Sequence, residues 1–65
     1  MDYYVIKYKD GYINISYELQ TTTNIYCATH FASKLDAENY ILNYCAKYKL
    51  SAKEFKTIKH KYFIY

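Results

Sequence analysis

The chain has 65 residues, 52% of them apolar by a count that includes eleven tyrosines, with nine Lys, no Arg, no Pro, no Trp and one Gly. A domain this short buries only about 60% of the surface its unfolded chain exposes, so its core is thin; the composition excludes a multi-domain cofactor enzyme, a low-complexity chain and a disulfide-dense secreted scaffold, and leaves one small domain over residues 1–65. The net charge of +3 is polarised, since residues 47–61 hold six Lys against Glu54 alone and the remainder is acidic.

Tyr3 to Lys9, then Asp10-Gly11, then Tyr12 to Leu19 read as two strands about a two-residue turn, because Asp-Gly suits the turn types that match strand twist. With Lys9 opposite Tyr12, Tyr8 meets Ile13, Ile6 meets Ile15 and Tyr4 meets Tyr17. One face then gathers these six residues. The other holds Tyr3, Val5, Lys7, Lys9, Tyr12, Asn14, Ser16 and Glu18. Gln20 to Asn24 is polar and reads as a connection whose threonines can extend a strand. Ile25 to Phe31 alternates, with Ile25, Cys27, Thr29 and Phe31 on one side, and predicts a third antiparallel strand.

Ser33-Lys34-Leu35-Asp36 marks a helix start, with a capping serine and an acid in the first turn. Ala37, Tyr40, Ile41, Tyr44, Cys45 and Tyr48 then trace one helical stripe. Lys49 to Glu54 breaks that stripe, and Ser51-x-x-Glu54 predicts one more short turn. From Phe55 to Tyr65, Ile58, His60, Tyr62 and Ile64 alternate with Phe55, Thr57, Lys59, Lys61, Phe63 and Tyr65, which predicts a final strand. The expected fold is α+β, in the order β-β-β-α-β: an antiparallel hairpin or meander with one helix packed on one face of the sheet. A helical crossover from the third strand sets the last strand parallel to the first and beside it.

One helix covers one face, so Tyr3, Val5, Tyr12 and Tyr26 on the other need an account. Half-exposed tyrosines are ordinary strand formers; clustered, they are also what a protein-interaction surface is made of. A domain this short often completes its core by dimerising, so a homodimer is expected. Lys53, Lys56, Lys59 and Lys61, with Tyr62, read either as a solvated face or as a contact for nucleic acid or an acidic partner, although arginine, the better phosphate ligand, is absent. The acids fall in turns, edges and the helix start, where capping and solubility explain them, so the expectation is a non-enzyme without cofactor.

Cys27-x-x-His30 has metal-ligand spacing, and Cys45 and His60 are candidates to complete four ligands. On a strand, however, Cys27 and His30 point to opposite faces, so no metal site is expected. A Cys27–Cys45 disulfide is sterically possible if the third strand packs under the helix, but a reducing compartment argues against it. The start, Met1-Asp2-Tyr3-Tyr4, is acidic where a signal peptide is basic, and Lys7, Lys9 and Asp10 interrupt the apolar stretch. These features predict a cytoplasmic protein without a membrane segment. The use of Lys to the exclusion of Arg, with abundant Asn, Ile and Tyr, points to an AT-rich genome.

The opening Tyr-Tyr-Val-Ile-Lys-Tyr-x-Asp-Gly-Tyr hairpin, followed by Phe31-Ala-Ser-Lys-Leu-Asp-Ala-Glu-Asn-Tyr-Ile41 and a terminal strand, resembles small accessory proteins of phages and prophages of low-GC bacteria. The resemblance spans the whole chain. It implies a non-enzymatic binder that inhibits a host or defence-system protein, frequently as a dimer, and it assigns no site residue.

Overall fold

The computed structural model describes residues 2–16 and 20–61. Strands β1 (Asp2–Tyr8), β2 (Gly11–Ile13), β3 (Thr21–Thr22) and β4 (Phe55–Lys61) form one antiparallel sheet in the order β3–β2–β1–β4, and helix α1 (Lys34–Tyr48) packs on one face of it. The fold is α+β, as the residue pattern predicts. Tyr17 to Leu19 of the second predicted strand and Tyr62 to Tyr65 of the last lie outside the described residues.

β1 and β2 make the predicted hairpin in a tighter register: Tyr8 faces Gly11 and Lys7 faces Tyr12, so the turn is Lys9-Asp10 rather than Asp10-Gly11. Lys9 carries the positive φ, at 55°, and Gly11 does not. Glycine is needed at position 11 for a different reason. A Cβ there would lie 2.6 Å from the Cβ of Thr21, so the bare backbone lets β3 approach. The shift of two residues leaves the faces unchanged, because side chains alternate with period two. Ile6, Tyr8 and Ile13 accordingly lie buried beneath α1.

β2 ends early because Asn14 offers other partners. Its Oδ1 accepts from the Ser16 N–H at 2.9 Å and its Nδ2 donates to the Cys27 carbonyl at 2.7 Å, which draws the chain out of the ladder. Ile15, expected under the helix, is therefore exposed.

The predicted third strand is replaced by a strap. Asn24 caps a 3-10 turn over Ile25–Cys27, its Oδ1 accepting from the Tyr26 N–H at 3.0 Å. Ile25 and Ala28 then pack against Tyr3, Val5, Tyr12 and Ile58 on the face of the sheet opposite α1. Beyond them the Thr29 N–H reaches the Ile13 carbonyl at 3.0 Å. Phe31 makes one antiparallel bridge to Tyr4 and packs with the helix-side core. The alternation from Ile25 to Phe31 thus reflects burial against a sheet, not membership of one. The strap also reverses the chain once more than a β-β-β-α-β path allows. β4 therefore lies beside β1, as expected, but antiparallel to it, from Asp2 opposite Lys61 to Tyr8 opposite Phe55.

α1 follows its sequence signals closely. The Ser33 Oγ accepts from the Asp36 N–H at 3.1 Å, and Ala37, Ile41, Tyr44 and Cys45 of the predicted stripe are buried, with Tyr40 and Tyr48 packed at the margin. Lys49 closes the helix in the left-handed conformation at φ 55°. Ser51 caps the short turn Ala52–Glu54 that leads into β4, where Phe55 stacks on Tyr8 with ring centres 4.3 Å apart.

Candidate interaction surface

Burial redraws the tyrosine face expected to be open. Tyr3 and Val5 are buried under the strap, Tyr12 is half-buried beside them, and only Tyr26, 73% exposed, offers its ring to solvent. The Tyr3 ring stacks on His30 at 3.9 Å and lies 5.2 Å from His60, while Tyr26 meets His60 edge-on at 6.2 Å. Tyr3 and Val5 are thus core residues of the second face and are not available to a partner. The strap that hides them was invisible because its length and alternation fit a strand equally well.

Besides Ile15 and Tyr26, two helix residues whose spacing drew no expectation are large apolar groups left outside. Leu35 and Leu42, 66% and 61% exposed, lie off the buried stripe and seven residues apart, which puts them on one face of α1. That spacing was present in the sequence. Leu42 opens onto a groove of about 480 Å³ between α1 and β4, lined on the helix side also by Lys34, Glu38 and Ile41 and at its end by Ala52.

Its other wall is Phe55, Lys56, Thr57 and Ile58, four consecutive residues of β4. Neighbouring side chains of a strand point to opposite faces, so four in a row can line one groove only where it runs along the strand's rim. Among the described residues β4 is the outermost strand on this side. The Tyr4 N–H and carbonyl both bond to Phe31, at 2.9 and 2.8 Å, and so point away from β4. By the alternation of an antiparallel ladder, it is then Tyr3, Val5 and Lys7 that exchange bonds with His60, Ile58 and Lys56. The backbone groups of Thr57 and Lys59 face outward and have no backbone partner among the described residues.

The predicted lysines surround this rim without forming one patch. Lys53 is exposed in the short turn before β4. Lys56 lies on the strap face directly opposite Lys7, a like-charge pair that is unfavourable as it stands. Together with Lys9 and Glu54 these two line a hollow of about 230 Å³. Lys59 and Lys61 lie on the helix face, Lys59 with its Nζ 3.3 Å from Asp2, an exposed pair of little energetic weight. Tyr62 lies outside the described residues.

The Cys45 thiol and the Tyr40 hydroxyl, both on the helix side, titrate above their ordinary values. Burial pushes the Cys45 thiol up, with Glu54 adding to the shift. Burial also raises the Tyr40 hydroxyl, with Tyr44 and Tyr48 adding and Lys47 opposing. Cys27 and Cys45 are free thiols, one exposed in the strap and the other buried under α1, and so belong to opposite faces of the sheet. Among the described residues no three His, Cys, Asp or Glu side chains gather into a metal-binding group, and no helix is long and apolar enough to cross a membrane.

The rim therefore offers hydrogen-bonding backbone, an apolar groove and flanking cations, the three components of recognition of an extended chain. No protein-family model, curated protein or solved structure matches this chain.

Proposed function

We propose that the chain is a non-enzymatic protein-binding module, a phage-type inhibitor or adaptor that occludes a surface of a host or defence-system protein in the cytoplasm. The observation that carries this reading is the exposure of Leu35 and Leu42 beside the groove along β4, an apolar feature that a domain with so thin a core would otherwise spend inside. The resemblance to small phage accessory proteins supports it. The interaction surface in this reading moves from the tyrosine face to the α1–β4 side.

The test compares capture from the native host's lysate by the wild-type chain and by a Leu35→Ser, Leu42→Ser double variant of equal helix content. The partner protein is expected to be lost by about tenfold or more, as when an apolar anchor is removed from a contact. Equal capture overturns the choice of surface. Lysate treated with nuclease separates the rival reading, in which Lys53, Lys56, Lys59 and Lys61 hold a nucleic acid: capture abolished by nuclease favours it.

A further inference from the structure

We propose that the outer edge of β4 receives an extended acidic segment of the partner as a fifth strand, with the spacing acid-apolar-apolar-acid opposite Lys56, Thr57, Ile58 and Lys59. The inference rests on the protein-binding reading above and names the chemistry of its partner. Three observations carry it. The outward N–H and carbonyl groups of Thr57 and Lys59 form a short open ladder. The groove runs along that rim, so a residue opposite Thr57 enters it between Leu42 and Phe55, while one opposite Ile58 extends the apolar row begun by Val5 on the strap face. The charges then fix the remaining two positions. An acid opposite Lys56 relieves the repulsion between Lys7 and Lys56, and an acid opposite Lys59 takes the place now held by Asp2.

The same charges argue against a second copy of this chain as the occupant. β4 carries Lys56, Lys59 and Lys61 and no acid, so pairing it with its own symmetry mate gathers six lysines in one ribbon. An edge so charged is protected from itself and open to a strand of opposite sign.

The probe is the capped heptapeptide Glu-Val-Val-Glu-Val-Val-Glu, which reads the same in both directions and presents the required spacing whether it pairs parallel or antiparallel. It is expected to bind the full chain about tenfold or more tightly than its Lys-for-Glu counterpart, and to slow amide exchange at Thr57 and Lys59. Methylating every peptide nitrogen keeps the charge and removes the ladder's donors on both edges of the peptide, so the fully methylated form should lose binding. Thr57→Pro should do the same while retaining the far-ultraviolet circular dichroism, because the N–H it deletes points outward. Equal binding by the fully methylated peptide overturns the proposal in favour of charge adsorption. A dimer in light scattering that the acidic peptide does not dissociate overturns it in favour of a second copy. Should Thr57→Pro fail to fold, the fully methylated peptide on the wild-type chain decides alone. Loss of the peptide result with Leu35- and Leu42-dependent capture intact removes the added strand and leaves the protein-binding reading; loss of that capture dependence removes the reading itself.

Discussion

The two faces of this sheet are covered by different kinds of structure. On one, α1 satisfies its own backbone and lends a regular stripe of side chains, with Ile6 and Ile13 fully buried beneath it. On the other, the strap carries one 3-10 turn and little repeating structure, so its backbone is satisfied by Asn14 and Asn24 side chains and by the carbonyl of Ile13 and both backbone groups of Tyr4. A chain of 65 residues thereby gives its sheet two apolar layers with one α-helix among the described residues. Polar side chains and strand backbone that β2 leaves unpaired take the place of a helix's internal hydrogen bonds.

Core truncations on the two faces distinguish which layer is the principal core. Ile6→Ala opens a cavity under α1 and should lower stability by about 3 kcal/mol in urea unfolding, whereas Val5→Ala, which deletes fewer carbons under the strap, should cost about 2 kcal/mol. A reversed order would make the strap side the dominant core. Asn14→Ala addresses the strap's anchorage, since it removes a bond to the Cys27 carbonyl and another from the Ser16 N–H. It should cost about 1 kcal/mol and speed amide exchange from Cys27 to Thr29, leaving α1 protected. Unchanged exchange in the strap would show that apolar contact alone holds it.

The smallest effect is an alkaline one, confined to the helix side. Cys45 and Tyr40 hold their protons above their ordinary values of 9.0 and 10.0. Each is thus more readily deprotonated in the unfolded chain, so the stability it lends is complete below pH 9 for Cys45 and below pH 10 for Tyr40, and declines as pH rises through the folded value. A Tm that stays level between pH 8 and 11 would contradict this, and Cys45→Ala should remove the earlier part of the decline.

The helix was legible almost residue by residue because its signals are local: Ser33 as cap, Asp36 in the first turn, and a stripe of spacing three and four are features of one short window. The hairpin was legible in its faces but not in its register. Asp10-Gly11 looked like the turn, yet the constraint on Gly11 comes from Thr21 across the sheet, which no local pattern reports. Of the candidate site, the lysines along β4 were visible as charge. Leu35 and Leu42 were visible only as leucines, and Tyr3 and Val5 were assigned to a surface that the strap covers.

The α+β class, the helix and its buried stripe, the alternation of β1 and β4, and the excess of lysine in residues 47–61 follow from periodicity or composition within a stretch of neighbours. Tertiary structure decided the rest: whether Ile25 to Phe31 would pair or strap, and hence the direction of β4, the burial of the tyrosine face and the position of the open edge. The physical reason is that a short alternating segment is stabilised as well by lying on a sheet as by joining one. Two asparagine side chains tip that choice: Asn24 caps the local turn over Ile25–Cys27, while Asn14 holds the Cys27 carbonyl from another part of the chain.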